Sequence, residues 1–156
     1  MIFVDTSVFM YAVGKPHPLQ SPAQQFFDES LRNRTPLVTS AEVIQELMHV
    51  YLRMKRTHTL DSALELMDKA GVEVWPVEEA DIILARQLHD RLPALSARDL
   101  CHLASCRRRG VREIMTFDQA LAAAGAKLAG KTVWAGRGDR SVSRRCGGEC
   151  RRYNVG

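Results

Sequence analysis

The feature that most constrains this chain is an alternation of very short apolar runs with longer stretches of helical periodicity. Ile2-Phe3-Val4, Leu37-Val38, Val72-Glu73-Val74-Trp75, Glu113-Ile114-Met115-Thr116 and Lys131-Thr132-Val133-Trp134 read as strands. The first ends in Asp5-Thr6-Ser7, which reads as a polar loop. Ser21-Pro22-Ala23-Gln24 predicts a helix capped by Ser21 with Pro22 in its first position, its apolar face made by Phe26, Phe27 and Leu31. A helix from about Ser40 to Lys55 puts Val43, Ile44, Leu47, Met48 and Tyr51 on one stripe. Another covers Thr59 to Ala70, stopped by Gly71. Ala80, Ile83, Leu84, Gln87 and Leu88 mark the next, Ser96 caps one that runs to about Arg109 before Gly110, and an alanine-rich helix follows Asp118.

Strands separated by helices imply a mostly parallel sheet covered on both faces, and ligands of such sheets sit beyond the carboxyl ends of the strands. Asp5 and Asp118 fall at those ends. The 156 residues suffice for one domain with a real core. No apolar run approaches the length of a membrane helix, and the amino terminus lacks the basic region of a signal peptide, so the expectation is a cytoplasmic protein without membrane contact. Cys101, Cys106, Cys146 and Cys150 are expected to be free thiols, their spacing being unlike that of a zinc knuckle.

The net charge of +4 is unevenly placed. Arg137, Arg140, Arg144, Arg145, Arg151 and Arg152, against Asp139 and Glu149, account for all of it, and the rest of the chain is balanced. Residues 1–135 therefore read as one folded domain and 136–156 as a basic, glycine-rich tail expected to be disordered.

Two more acids approach the same sheet edge from helix starts. Glu46 borders the apolar stripe of its helix between Val43 and Val50, and Asp99 lies in the first turn after Ser96. Structural explanations exist for several acids. Thr39-x-x-Glu42 and Ser96-x-x-Asp99 are capping-box patterns, and Glu42 is assigned as a cap on that ground. Asp5 and Asp118 can cap the segments that follow them. Glu46 has no such explanation. Four acids at one edge repel one another unless a cation sits among them, and hard divalent cations take oxygen ligands. Such metals suit phosphodiester hydrolysis. Glycine-rich phosphate loops and a G-x-S-x-G elbow are absent. A phosphatase-like reading wants a second aspartate at position 7, which is Ser7. A receiver-like reading wants paired acids before Asp5, and there are none. His102, one turn beyond Asp99, is within reach of the site but is read as supporting it.

Ile2-Phe3-Val4-Asp5-Thr6-Ser7, Thr39-Ser40 with Glu46-Leu47, Ser96-Ala97-Arg98-Asp99-Leu100-Cys101-His102-Leu103-Ala104, and Met115-Thr116-Phe117-Asp118 together resemble the PIN-domain family, in particular the VapC-type toxins of toxin–antitoxin pairs. The resemblance runs from about residue 1 to 134. It implies a three-layer α/β/α sandwich with a mostly parallel central sheet, and Mg²⁺- or Mn²⁺-dependent endoribonuclease activity. It makes Asp5, Glu46, Asp99 and Asp118 the metal-binding and catalytic quartet, with Asp118 and Glu46 acting partly through water. Ser7 and Thr116 become hydroxyls that hold carboxylates in place. It further implies an RNA substrate, a homodimer and a cognate antitoxin, for which helices near Phe26-Phe27 and Leu60-Leu64-Met67 are candidate contacts. A non-catalytic RNA- or protein-binding module is the alternative, disfavoured because all four acids are present.

Overall fold

A computed structural model of the chain describes residues 1–129. The strand expected at Lys131-Thr132-Val133-Trp134, the domain boundary at 135, Cys146, Cys150 and the basic tail lie outside the described residues. Strands β1 (Ile2–Val4), β2 (Leu37–Ser40), β3 (Glu73–Trp75) and β4 (Glu113–Met115) form one sheet in the order β3-β2-β1-β4. Every pairing is parallel, with Phe3 opposite both Val38 and Ile114. Phe3 and Val4 face opposite sides and are both wholly buried, as a central strand covered on both sides requires.

Helices α1 (Thr6–Val13) and α2 (Gln20–Arg32) join β1 to β2, and α3 (Ala41–Arg53) and α4 (Thr57–Lys69) join β2 to β3. Helices α5 (Glu79–His89) and α6 (Ala97–Arg108) carry the chain back across the sheet to β4, and α7 (Gln119–Ala129) follows. The first two crossovers move in one direction and the third in the other. Right-handed connections therefore put α1–α4 on one face and α5–α6 on the opposite one. The packing agrees: α1 meets α2, α3 and α4, while α6 meets α5 and α7. The result is the α/β/α sandwich. Because strands are added to one side of β1 up to β3 and to its other side at β4, the crevice at the carboxyl ends of β1 and β4 is the switch point where such folds bind ligands.

Several local expectations need correction. Asp5-Thr6-Ser7 is the start of α1, which buries Val8, Phe9, Met10 and Ala12. Helix α2 begins at Gln20 after Leu19, ahead of the expected Ser21 cap, so Pro22 sits third and still gives up an N–H that had no helical partner. Its buried residues are Ala23, Phe27 and Ser30, whereas Leu31 is exposed. The buried face of α3 is Val43, Glu46, Leu47, Val50 and Tyr51, rotated away from Met48, so Glu46 lies inside the stripe rather than at its border. On α5 the buried residues are Asp81, Ala85 and Leu88, leaving Ile82 and Ile83 exposed. Phe27, Leu60 and Met67 are core, so of the candidate antitoxin contacts only Leu64 is well exposed and Phe26 partly so. Gly71 and Gly110 follow α4 and α6 at positive φ, as their sequence positions suggested. No helix among the described residues is long and apolar enough to cross a membrane.

Asp81 is fully buried because α6 brings two cations to it. Arg108 Nη1 donates to Asp81 Oδ1 at 2.7 Å and to Glu78 Oε2 at 2.7 Å, and Arg109 Nη1 donates to Asp81 Oδ1 at 3.0 Å. Arg109 also lies over the Trp75 ring, 5.1 Å from its centroid. This cluster fastens α5 and the end of β3 to α6, the helix that carries Asp99.

Candidate acidic site at the β1–β4 crevice

Three helix starts converge on the crevice, and an aspartate takes part in the capping of each. Asp5 precedes α1 and Asp118 precedes α7, its Oδ1 accepting the Leu121 N–H at 2.9 Å. Asp99 completes a capping box with Ser96, its Oδ2 accepting from the Ser96 N–H at 3.0 Å and hydroxyl at 2.7 Å. The positive end of each helix favours the carboxylate there. The structural explanation of these three acids thus holds, and it leaves half of each carboxylate over.

The spare half lacks protein donors among the described residues. All protein donors to Asp5 fall on Oδ2, which accepts the Ser7 hydroxyl at 2.6 Å, the Ser7 N–H at 3.4 Å and the Thr116 hydroxyl at 2.7 Å. Those hydroxyls accept in turn: the Phe117 N–H donates to Ser7 Oγ at 3.0 Å and the Asp118 N–H to Thr116 Oγ1 at 2.9 Å. The Ser7 and Thr116 oxygens also lie 3.4 Å apart, so the two hydroxyls form one network around Asp5 Oδ2. Asp5 Oδ1, Asp99 Oδ1 and Asp118 Oδ2 accept no hydrogen bond among the described residues.

These three carboxylates sense one another. Burial raises the Asp99 carboxyl above its ordinary range, the Ser96 hydrogen bonds oppose this, and the charges of Asp118 and Asp5 push it up further. Glu46 differs. It is only 6% exposed and both of its oxygens are engaged: Thr6 Oγ1 donates to Oε2 at 2.8 Å, and Arg98 Nη1 donates to Oε1 at 2.6 Å. Among the described residues no group of three or more His, Cys, Asp or Glu side chains is arranged to hold a metal ion. Each carboxylate is turned instead onto the donors of its own surroundings.

Glu42 is not the expected cap. Ser40 caps α3 through Val43 N–H, while Thr39 Oγ1 donates to the Val4 carbonyl at 2.8 Å. Glu42 is half-buried with Oε2 unpartnered. Burial raises its carboxyl, the charges of His102 and Arg98 lower it, and Glu46 raises it. His102 is buried beneath β1, its ring 5.3 Å from that of Phe3 and its Nδ1 3.4 Å from Ser40 Oγ. The Cys101 thiol is pushed up to about 11, by burial and by Glu42, and the Cys106 thiol is raised by burial, so neither is a thiolate at neutral pH. Thr6 and Arg98 are the residues that sequence reasoning missed. Arg98 left a trace, since a cation in the first turn of a helix opposes the macrodipole and asks for a partner.

A PIN domain family model matches residues 2–127. The chain is 59% identical over 124 residues to ribonuclease VapC23 of Mycobacterium tuberculosis, covering 80% of this chain and 98% of that protein. Its fold is similar to the crystal structure of M. tuberculosis VapC20, a sarcin-ricin loop cleaving toxin, with a TM-score of 0.69 at 22% identity over 80% of this chain and 95% of the other. It is also similar to a chain of a toxin–antitoxin complex from Klebsiella pneumoniae, with a TM-score of 0.55 at 15% identity over 76% and 87%. A match across nearly the whole described chain, with the acids on the crevice where the fold binds ligands, leaves one assignment: the chain belongs to the PIN-domain family and, within it, to the VapC-type ribonucleases of toxin–antitoxin pairs.

Proposed function

We propose that this protein is a Mg²⁺- or Mn²⁺-dependent endoribonuclease and the toxin of a toxin–antitoxin pair. The observation that carries the reading is the division of labour within three aspartates, each held by one oxygen and leaving the other unused at a shared crevice. The donor set suits a hard cation, being all carboxylate and mutually repelling. Asp5, Asp99 and Asp118 would ligate through their spare oxygens. Glu46 completes the quartet through water, because Thr6 and Arg98 already occupy both of its own. Such an ion, when bound, supplies an activated water and neutralises charge on the scissile phosphate.

The remaining work belongs to the chain. Ser7 and Thr116 hold the Asp5 carboxylate in one orientation through their hydroxyl hydrogen bonds to Oδ2. Helices α1, α6 and α7 hold three carboxylates against their mutual repulsion through their capping hydrogen bonds. Cleavage of single-stranded RNA should vanish in EDTA and return with Mg²⁺ or Mn²⁺, and Mn²⁺ should raise the melting temperature. Undiminished cleavage in chelator would sink the mechanism. Homodimer formation and an antitoxin that covers the crevice complete the proposal, supported by family membership. Growth arrest on expression, relieved by a co-expressed adjacent antitoxin and absent for Asp5→Asn at matched protein levels, is the expected result in cells.

A further inference from the structure

We infer that Arg98 is the phosphate-binding residue of this site, clamped by Glu46 so that its remaining donors face the RNA backbone. The inference rests on the nuclease reading and names the group that receives the substrate. Three observations on the molecule lead to it. First, Arg98 makes one hydrogen bond among the described residues, through Nη1 to Glu46 at 2.6 Å, so four of the five guanidinium N–H groups are uncommitted. Second, its side chain is 39% exposed while that of Glu46 is 8% exposed, so one end of the pair is anchored inside and the other opens to solvent. Third, Arg98 adjoins Asp99 in the first turn of α6, where a lone cation opposes the helix dipole, yet it is kept there.

A polyanion entering this crevice meets Asp5, Asp99, Asp118 and Glu46 together with Glu42, whose carboxyl also senses Arg98. Arg98 is the cation that α6 supplies beside them. A guanidinium is planar and forked, so it can hold a carboxylate on one edge and a phosphate on the other, which an ammonium cannot do with fixed geometry. Glu46, itself locked by Thr6, then acts as a positioning residue for Arg98. Charge alone would make removal of any crevice carboxylate improve RNA binding. The clamp makes the opposite demand at Glu46.

The test uses the full chain in EDTA, so that no cleavage occurs, and fluorescence anisotropy of a fluorescein-labelled mixed-sequence single-stranded RNA over a range of NaCl. Arg98→Gln should weaken binding about fivefold to tenfold and flatten the slope of log affinity against log salt by about 0.7, the loss of one phosphate contact. Arg98→Lys should keep the slope and recover only part of the affinity. Asp118→Asn should tighten binding, whereas Glu46→Gln, which removes the same charge, should weaken it. Melting curves confirm that each variant is folded. Wild-type affinity and slope in Arg98→Gln would overturn the inference, as would Glu46→Gln tightening as much as Asp118→Asn. So would an Arg98→Gln protein whose calorimetric Mn²⁺ affinity rises while RNA binding stays unchanged, since Arg98 would then only stand in for the cation. Any of these alongside EDTA-sensitive cleavage by the wild type leaves the nuclease reading intact. A wild type that neither binds nor cleaves RNA removes both.

Discussion

Asp5 takes all its donors among the described residues on Oδ2, so on the proposed reading one carboxylate serves fold and chemistry at once. Asp5→Asn can keep its carbonyl under Ser7 and Thr116 while an amide replaces the spare oxygen. The expected outcome is a folded protein with cleavage reduced at least about a hundredfold, checked by circular dichroism beside a gel assay. Thr116→Val is a harsher change, because it removes a donor to Asp5 and orphans the buried-side Asp118 N–H. It should cost about 1–3 kcal/mol in urea unfolding as well as activity. Glu42 gives the contrasting case. Its carboxyl is raised by burial, so the folded state binds protons more tightly than the unfolded one, and stability falls as pH rises from the ordinary 4.5 through the raised value. Glu42→Gln should lose that limb of the pH–stability curve, be at least as stable as wild type at neutral pH, and retain cleavage. A loss of activity equal to that of Glu46→Gln would place Glu42 in the machinery.

Among the elements, the α5–α6 joint makes the sharpest prediction. Burial pushes the Asp81 carboxyl up, but the Glu78 N–H and the Arg108 and Arg109 guanidinia outweigh it and hold the carboxyl below its usual range. The stability this confers is present above the ordinary value of 3.8 and is lost as pH falls through the lowered one. Asp81→Asn should flatten that acid limb and destabilise by about 3 kcal/mol, because two guanidinia lose their buried partner. This joint was invisible in the sequence, where Ile83 drew the apolar face of α5 to the wrong side; the ion cluster, reached across some 27 residues of chain, overrides hydrophobic periodicity. Helix α6 was legible because cap, box residue and terminal glycine all mark it locally. Helix α1 was not, since Asp5-Thr6-Ser7 has the composition of a turn and eight residues are too few to display a period. The capping roles of Asp99 and Asp118 were legible because capping patterns are short. The partition of the carboxylates into holding and spare oxygens needed coordinates.

At the scale of the whole molecule, every group in the crevice lies between Asp5 and Asp118, and the arginines that give the chain its positive charge lie beyond residue 136. Truncation after Gly136 should therefore leave cleavage at saturating RNA unchanged. If the six arginines engage RNA, weaker binding at low salt and a flatter salt slope would accompany it, and identical slopes would show that they do not. The strand order carries a separate consequence. Asp118 lies more than a hundred residues beyond Asp5, and the two meet only when β4 zips onto β1, a pairing that extends through the Asp5 N–H to the Met115 carbonyl at 3.0 Å. More than a hundred residues must be closed into one loop before that contact rewards the chain. On the proposed reading, a nascent chain still lacking β4 thus holds an incomplete acidic site, however well its first three strands have folded. Synthesis itself then acts as a timer: the site is assembled only when β4 docks onto β1, by which point the earlier scaffold that a covering antitoxin would seize has been made.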